Sequence, residues 1–162
     1  MSRNLILTAV LVAACVSFVT IPLSGHISDR IGRRKMYLIG AAVTGLFGFL
    51  YFGMVDTAYP SAVFIAIALS LIPHDMQYGP QAALIAEAFT PRLRYSGSSL
   101  GYQLASVIAG GPAPLIATAL FAHYQTGYAI SIYIVACAAV SLVAAAFMPD
   151  YTGKDISLEY DD

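Results

Sequence analysis

Long apolar runs separated by short polar breaks dominate the chain. Five of them, residues 5–23, 36–55, 61–86, 97–121 and 127–148, are each long enough to cross a ~30 Å hydrocarbon layer at about 1.5 Å per helical residue. None shows the period-two alternation of a membrane strand, and hydrocarbon offers the backbone no hydrogen-bond partner, so each run is expected to be a helix. The pattern predicts an all-α membrane protein with five transmembrane helices over residues 1–148. An acidic tail, 149–162, follows.

Composition sharpens this. Apolar residues make up 59% of the 162, and charged residues only 10%, against about a quarter in soluble domains. Too little polar surface remains to cover so much apolar side chain in a small core. A soluble enzyme, a disordered tail and a nucleic-acid-binding module are thereby excluded. The net charge of −1 says nothing about partners. Cys15 and Cys137 lie inside apolar runs, suit small packing positions and define neither a disulfide framework nor a metal spacing. Neither a metal nor a cofactor is expected.

Charge placement gives an orientation. The break at 24–35 has four cations and that at 89–95 has two, while 56–60 and 122–126 have none. The positive-inside rule puts the basic breaks and the tail in the cytoplasm, with the chain embedded in the cytoplasmic membrane. The first run has one cation before it, Arg3, and a strongly basic break after it, which reads as a retained helix and not as a signal peptide. A first helix that starts outside, followed by four more, reads as a piece of something longer.

The most specific stretch is Gly25-His26-Ile27-Ser28-Asp29-Arg30-Ile31-Gly32-Arg33-Arg34-Lys35. Its two glycines are expected to allow a tight hairpin between the first two spans. Asp29 among cations can cap a helix or pair with arginine, locking one helix arrangement and releasing another. A plain topology signal in contact with anionic lipid is the blander alternative. Further along, Glu87 and Arg94 flank the second basic break. Gly97 is expected to open the fourth span there, with Asp29 as an anion near its free N–H groups. Glu87 and Arg94, with Arg33 or Arg34, would complete a charge cluster.

The first stretch resembles the Gly-x-x-x-Asp-Arg-x-Gly-Arg-Arg-Lys loop motif of the major facilitator superfamily, matched here by Gly25, Asp29, Arg30, Gly32, Arg33 and Arg34. In that family the Asp and arginine are thought to form an inner gate lock. Glu87 and Arg94 resemble the Glu-x6-Arg pair of sugar-porter-like members. The run from Tyr78-Gly79-Pro80-Gln81 through Glu87 to Gly97 and Tyr102 resembles the metabolite:proton symporter branch. That branch carries proline and betaine, 2-oxoglutarate, citrate and shikimate. The resemblance implies the last five of twelve helices, a partial carboxy-terminal half, with the first seven missing or supplied by a separate chain. It also implies proton-coupled symport of a small organic solute.

Ionisable groups within a span are functional by default, because an Asp at a helix centre costs about 2.5–3.5 kcal/mol. Pro73-His74-Asp75-Met76-Gln77-Tyr78-Gly79-Pro80 puts His74 and Asp75 near mid-depth. A carboxylate beside an imidazole can carry a proton, although adjacent helical residues point about 100° apart and need not share a face. A buried pair that only ties helices together is the bland reading. His74, Asp75, Gln77, Tyr102 and Gln103 are the proton or solute candidates. Gly97 and Gly101 form a G-x-x-x-G expected to pack closely, and Gly111-Pro112 with Pro114 predicts a kink.

Three function classes compete. A secondary carrier, or its carboxy-terminal part, explains the motif, the Glu–Arg pair, the intramembrane acid and the proline breaks together. An intramembrane serine protease built on Gly97-Ser98-Ser99 needs a histidine within reach, and the only one on the correct side, His26, lies in the basic stretch, so no enzymatic activity is expected. A non-transporting membrane subunit, or the relic of a truncated carrier, is the remaining alternative.

Overall fold

The computed structural model describes residues 2–155. Within them the chain forms α1 (Arg3–Ile31), α2 (Arg33–Asp56), α3 (Pro60–Leu69), α4 (Leu71–Glu87), α5 (Arg94–Ala105), a π-helical turn (Ser106–Gly110), α6 (Ala113–Tyr124) and α7 (Tyr128–Ala146). Four stretches are continuous and apolar enough to cross a membrane: Arg3–Ile31, Arg33–Asp56, Arg94–Tyr124 and Tyr128–Ala146. The remaining expected span is helical too, but it is split at Ser70 into α3 and α4. Proline explains the split. Pro73 has no N–H to donate to the carbonyl four residues back, at Leu69, and the chain turns there with Ser70 Oγ donating to Ile67 O at 2.7 Å. The expected kink at Gly111-Pro112 is the π-helical turn, closed by Gly111 N–H donating to Ser106 O at 3.1 Å.

The buried apolar positions are mostly small, among them Ala9, Ala13, Ala41, Ala66 and Ala145, while Phe18 is 84% exposed and Leu11, Leu46, Val107 and Phe147 also point outward. This partition suits a chain dissolved in lipid, where burying a large apolar side chain against protein gains nothing over leaving it in acyl chains. Helices then associate through close backbone approach and interhelical hydrogen bonds. α2 lies between α4 and α7, and α1 packs on α4. On α2, Gly40 faces the backbone of Met76 and Gln77, and Gly48 faces Ser131 of α7. Ser131 is fully buried, and its Oγ donates to Gly48 O at 2.9 Å.

Helix α1 runs on through the basic stretch, and the turn into α2 is one residue, Gly32, with φ +105°. Gly25 is therefore not a hairpin glycine. It lies inside α1 and gives room to α4, since a Cβ on it would sit 3.6 Å from Gly79 O. Two further glycine expectations change. The fourth span opens at Arg94, not Gly97; Gly97 makes room for the Phe89 ring, which a Cβ would meet at 2.5 Å. Gly101 has nothing within 4 Å of its would-be Cβ, and no residue from 94 to 124 is buried, so only the Gly97 half of the G-x-x-x-G makes a close contact among the described residues.

Opposite responses to alanine are expected at two of these sites. A Cβ at Gly79 would lie 2.7 Å from Ile21 O and 2.8 Å from Gly25 N, both backbone atoms that cannot rotate away. Gly79→Ala should cost about 1–3 kcal/mol through overpacking. Gly101→Ala should be neutral or stabilise by up to about 1 kcal/mol, from helix propensity alone. Thermal unfolding in detergent separates them; equal effects would contradict the α1–α4 contact.

Candidate functional site: a charged helix end and a buried carboxylate on one helix pair

At the Gly32 end of the bundle Arg33 joins three helices. Its Nε and Nη2 donate to Asp29 Oδ1 at 3.1 and 2.8 Å, and its Nη1 pairs with Glu87 Oε1. Asp29 is the last-turn acid of α1, Arg33 opens α2 and Glu87 closes α4. The Glu87 side chain is only 6% exposed, against 22% for Arg33 and 56% for Asp29. Glu87 Oε2 has no hydrogen-bond partner among the described residues, so Arg33 alone neutralises this buried acid there.

The other expected members of the cluster do different work. Arg94 does not pair with Glu87; its Nε donates to Ala86 O at 3.0 Å, a carbonyl at the end of α4 that also accepts from Phe89 N–H. Arg34 reaches α7 instead, with Nη1 donating to Met148 O at 2.9 Å. Arg30 is exposed. Asp29 does not cap the fourth span, because Arg33 at i+4 along the nearly continuous helix already holds it. The first part of the acidic tail lies against this end, where Arg33 N–H donates to Thr152 Oγ1 at 2.9 Å. The tail acids Glu159, Asp161 and Asp162 lie outside the described residues.

Deeper in the same α1–α4 pair lies Asp75, 1% exposed. Ser17 Oγ donates to its Oδ2 at 2.7 Å, and Thr20 Oγ1 donates to the same oxygen. Ser17 and Thr20 are three apart on α1 and so share a face. Both are polar residues in an apolar run, a signal that could have marked them beforehand. His74 Nδ1 lies 3.3 Å from Asp75 Oδ1, yet its side chain is 57% exposed and stacks on Tyr78 with ring centroids 5.3 Å apart. The pair thus spans two environments: the carboxyl is enclosed and the imidazole faces out. Gln77 turns to α2, with Nε2 donating to Thr44 Oγ1 at 2.6 Å.

Between α4 and α5 is a cleft of about 430 Å³ whose lining includes Tyr78, Gln81, Ser98, Ser99, Tyr102 and Gln103. Tyr102 and Gln103 therefore face the same space as Tyr78. Its hydrogen-bonding side chains are hydroxyls and amides, with no charged residue among the described lining.

The helical membrane bundle thus carries an Asp29–Arg33–Glu87 ion-pair cluster at one end and an enclosed acid, Asp75, inside. The chain belongs to the Major Facilitator Superfamily, whose family model matches residues 1–160. It is 35% identical over 150 residues to the Shikimate transporter of Escherichia coli, covering 91% of this chain and 34% of that protein. It is 33% identical to the Inner membrane metabolite transport protein YhjE of the same organism, covering 88% of the chain and 32% of that protein. With the Ectoine/proline transporter ProP of Corynebacterium glutamicum it shares 28% identity, over 84% of the chain and 27% of the relative. The chain thus spans about a third of the length of these relatives, all named as transporters. No solved structure matches it.

The contacts rank the arginines of the motif. Arg33→Gln strands the enclosed Glu87 carboxylate and should cost on the order of 3 kcal/mol. Arg30→Gln, at an exposed position, should stay within about 0.5 kcal/mol. Unfolding midpoints of the two variants in one detergent check the order, and a larger loss at Arg30 would contradict the assignment.

Proposed function

We propose that the chain is the carboxy-terminal wall of a proton-coupled carrier for a small organic solute, a carboxylate or a zwitterion. It would lie in the cytoplasmic membrane with its basic end and carboxy terminus facing the cytoplasm. The remaining helices of the translocation path come from elsewhere in the polypeptide or from a separate partner chain. The solute class is supported by the names of the relatives, which carry shikimate on one side and ectoine and proline on the other. The observation that carries proton coupling is Asp75, an acid enclosed between two helices with an outward-facing imidazole beside it.

The reading links three places along one helix pair. A proton reaching His74 passes from Nδ1 to Asp75 Oδ1. Neutralising the carboxyl weakens its hold on the Ser17 and Thr20 hydroxyls, because hydrogen bonds to a charged acceptor are roughly twice as strong as neutral ones. α1 then moves against α4 about the close contact at Gly25 and Gly79. At the cytoplasmic end the same movement parts Arg33 from Glu87. Solute bound at the cleft wall of Tyr78, Gln81, Tyr102 and Gln103 gains or loses access as this happens.

Uptake into membrane vesicles from cells carrying the intact locus tests this, with shikimate and proline as labelled probes. Asp75→Asn should reduce uptake driven by a pH gradient at least tenfold while leaving exchange at equal pH on the two sides. Unchanged gradient-driven uptake in Asp75→Asn would remove Asp75 from the coupling.

A further inference from the structure

The segment after α7 is tied to α2 in both directions. α2 begins after a glycine, so it has no side-chain cap of its own. Thr152 supplies the missing acceptor from a distant part of the chain, with Arg33 N–H donating to its Oγ1 at 2.9 Å. Asp150 fixes the role of that hydroxyl. The Thr152 O–H donates to Asp150 Oδ1 at 2.6 Å, and Thr152 N–H donates to the same oxygen at 3.2 Å. With its proton directed to Asp150, the hydroxyl presents its lone pairs to Arg33. Asp150 packs against Gly32, where a Cβ would lie 3.0 Å from its Oδ2. In return, Arg34 Nη1 donates to Met148 O at 2.9 Å, satisfying a carbonyl left over just past the end of α7.

The residue whose backbone is held in this way is the one whose guanidinium joins Asp29 to Glu87. All of its contacts depend on where the first turn of α2 places the Arg33 Cα. We propose that Thr152 is a positioning residue for Arg33, so that the segment after α7 is part of the Arg33–Glu87 lock. Its functional meaning rests on the gate reading above; the physical claim, that Thr152 acts through Arg33 on the pair with Glu87, stands apart from it.

The test uses the full 162-residue chain in lipid nanodiscs, with Thr152→Val, Thr152→Ser, Glu87→Gln and the double variant Thr152→Val/Glu87→Gln. Loss of the cap in Thr152→Val should speed hydrogen exchange of the Arg33 amide about fivefold, the factor expected for a typical helix cap, and Thr152→Ser should restore it. The readout specific to positioning is the thermal midpoint. Thr152→Val should lower it clearly when Glu87 is present and much less in Glu87→Gln, because the two changes damage one interaction. Strictly additive midpoint shifts, or unchanged Arg33 exchange in Thr152→Val, overturn the proposal. Vesicle uptake unaffected by Glu87→Gln would instead retire the gate reading and leave the coupling between Thr152 and Glu87 intact.

Discussion

A carboxyl group placed among hydrocarbon has no water to turn to, and this constraint governs how α1 and α4 meet. Asp75 must be enclosed by protein, and only a neighbouring helix that brings polar atoms to its depth can enclose it. Ser17 and Thr20 do so from one face of α1. Once that register is set, Gly79 falls one turn along α4 from Asp75, opposite Ile21 and Gly25. The two backbones can then approach closely. The polar contact chooses the register and the glycines permit it. Neither would suffice alone, since small residues give van der Waals contact without choosing a position along the helix.

The same pair of helices ends in Asp29 and Glu87, and α2 starts beside both with Arg33. An acid enclosed at the membrane interior and an ion pair at the helix ends are therefore two points on one rigid interface. In the proposed reading, a small shift of α1 against α4 would change both together and connect a protonation to a gate without any long-range wire. The outer face of the α5–α6 stretch, with its π-helical turn and prolines, contributes no buried residue. The mechanical work proposed here is concentrated in α1, α2 and α4.

Much of this was legible in the chain, and the failures have physical causes. Apolar run length located the helices because lipid demands length and satisfied backbones, whatever the packing. Asp75 was legible for the related reason that an acid in a span is costly. Gly25 was misjudged because glycine serves both turns and close helix contacts, and spacing alone does not separate the two. Treating residues 24–35 as a loop hid the i,i+4 relation of Asp29 and Arg33, which the long α1 makes plain. Arg94 was matched to Glu87 through the Glu-x6-Arg resemblance, whereas Glu87 pairs with Arg33 of α2 and Arg94 reaches back to Ala86 O at the end of α4. The cap from Thr152 joins positions 119 apart, and no local pattern announces it. The break at Ser70 lies three residues before Pro73, but a run of uniform hydropathy covers it.

The central claim is that Asp75 is held by α1 hydroxyls and that this contact sets the α1–α4 interface. A double-mutant cycle on thermal stability addresses it directly, using Asp75→Asn, Thr20→Val and both together in the same membrane mimic. The account predicts strong non-additivity, with a coupling of about 1 kcal/mol or more: once the carboxylate is gone, removing the hydroxyl should cost little further. Additive losses would show that Asp75 and Thr20 act independently and would contradict the account.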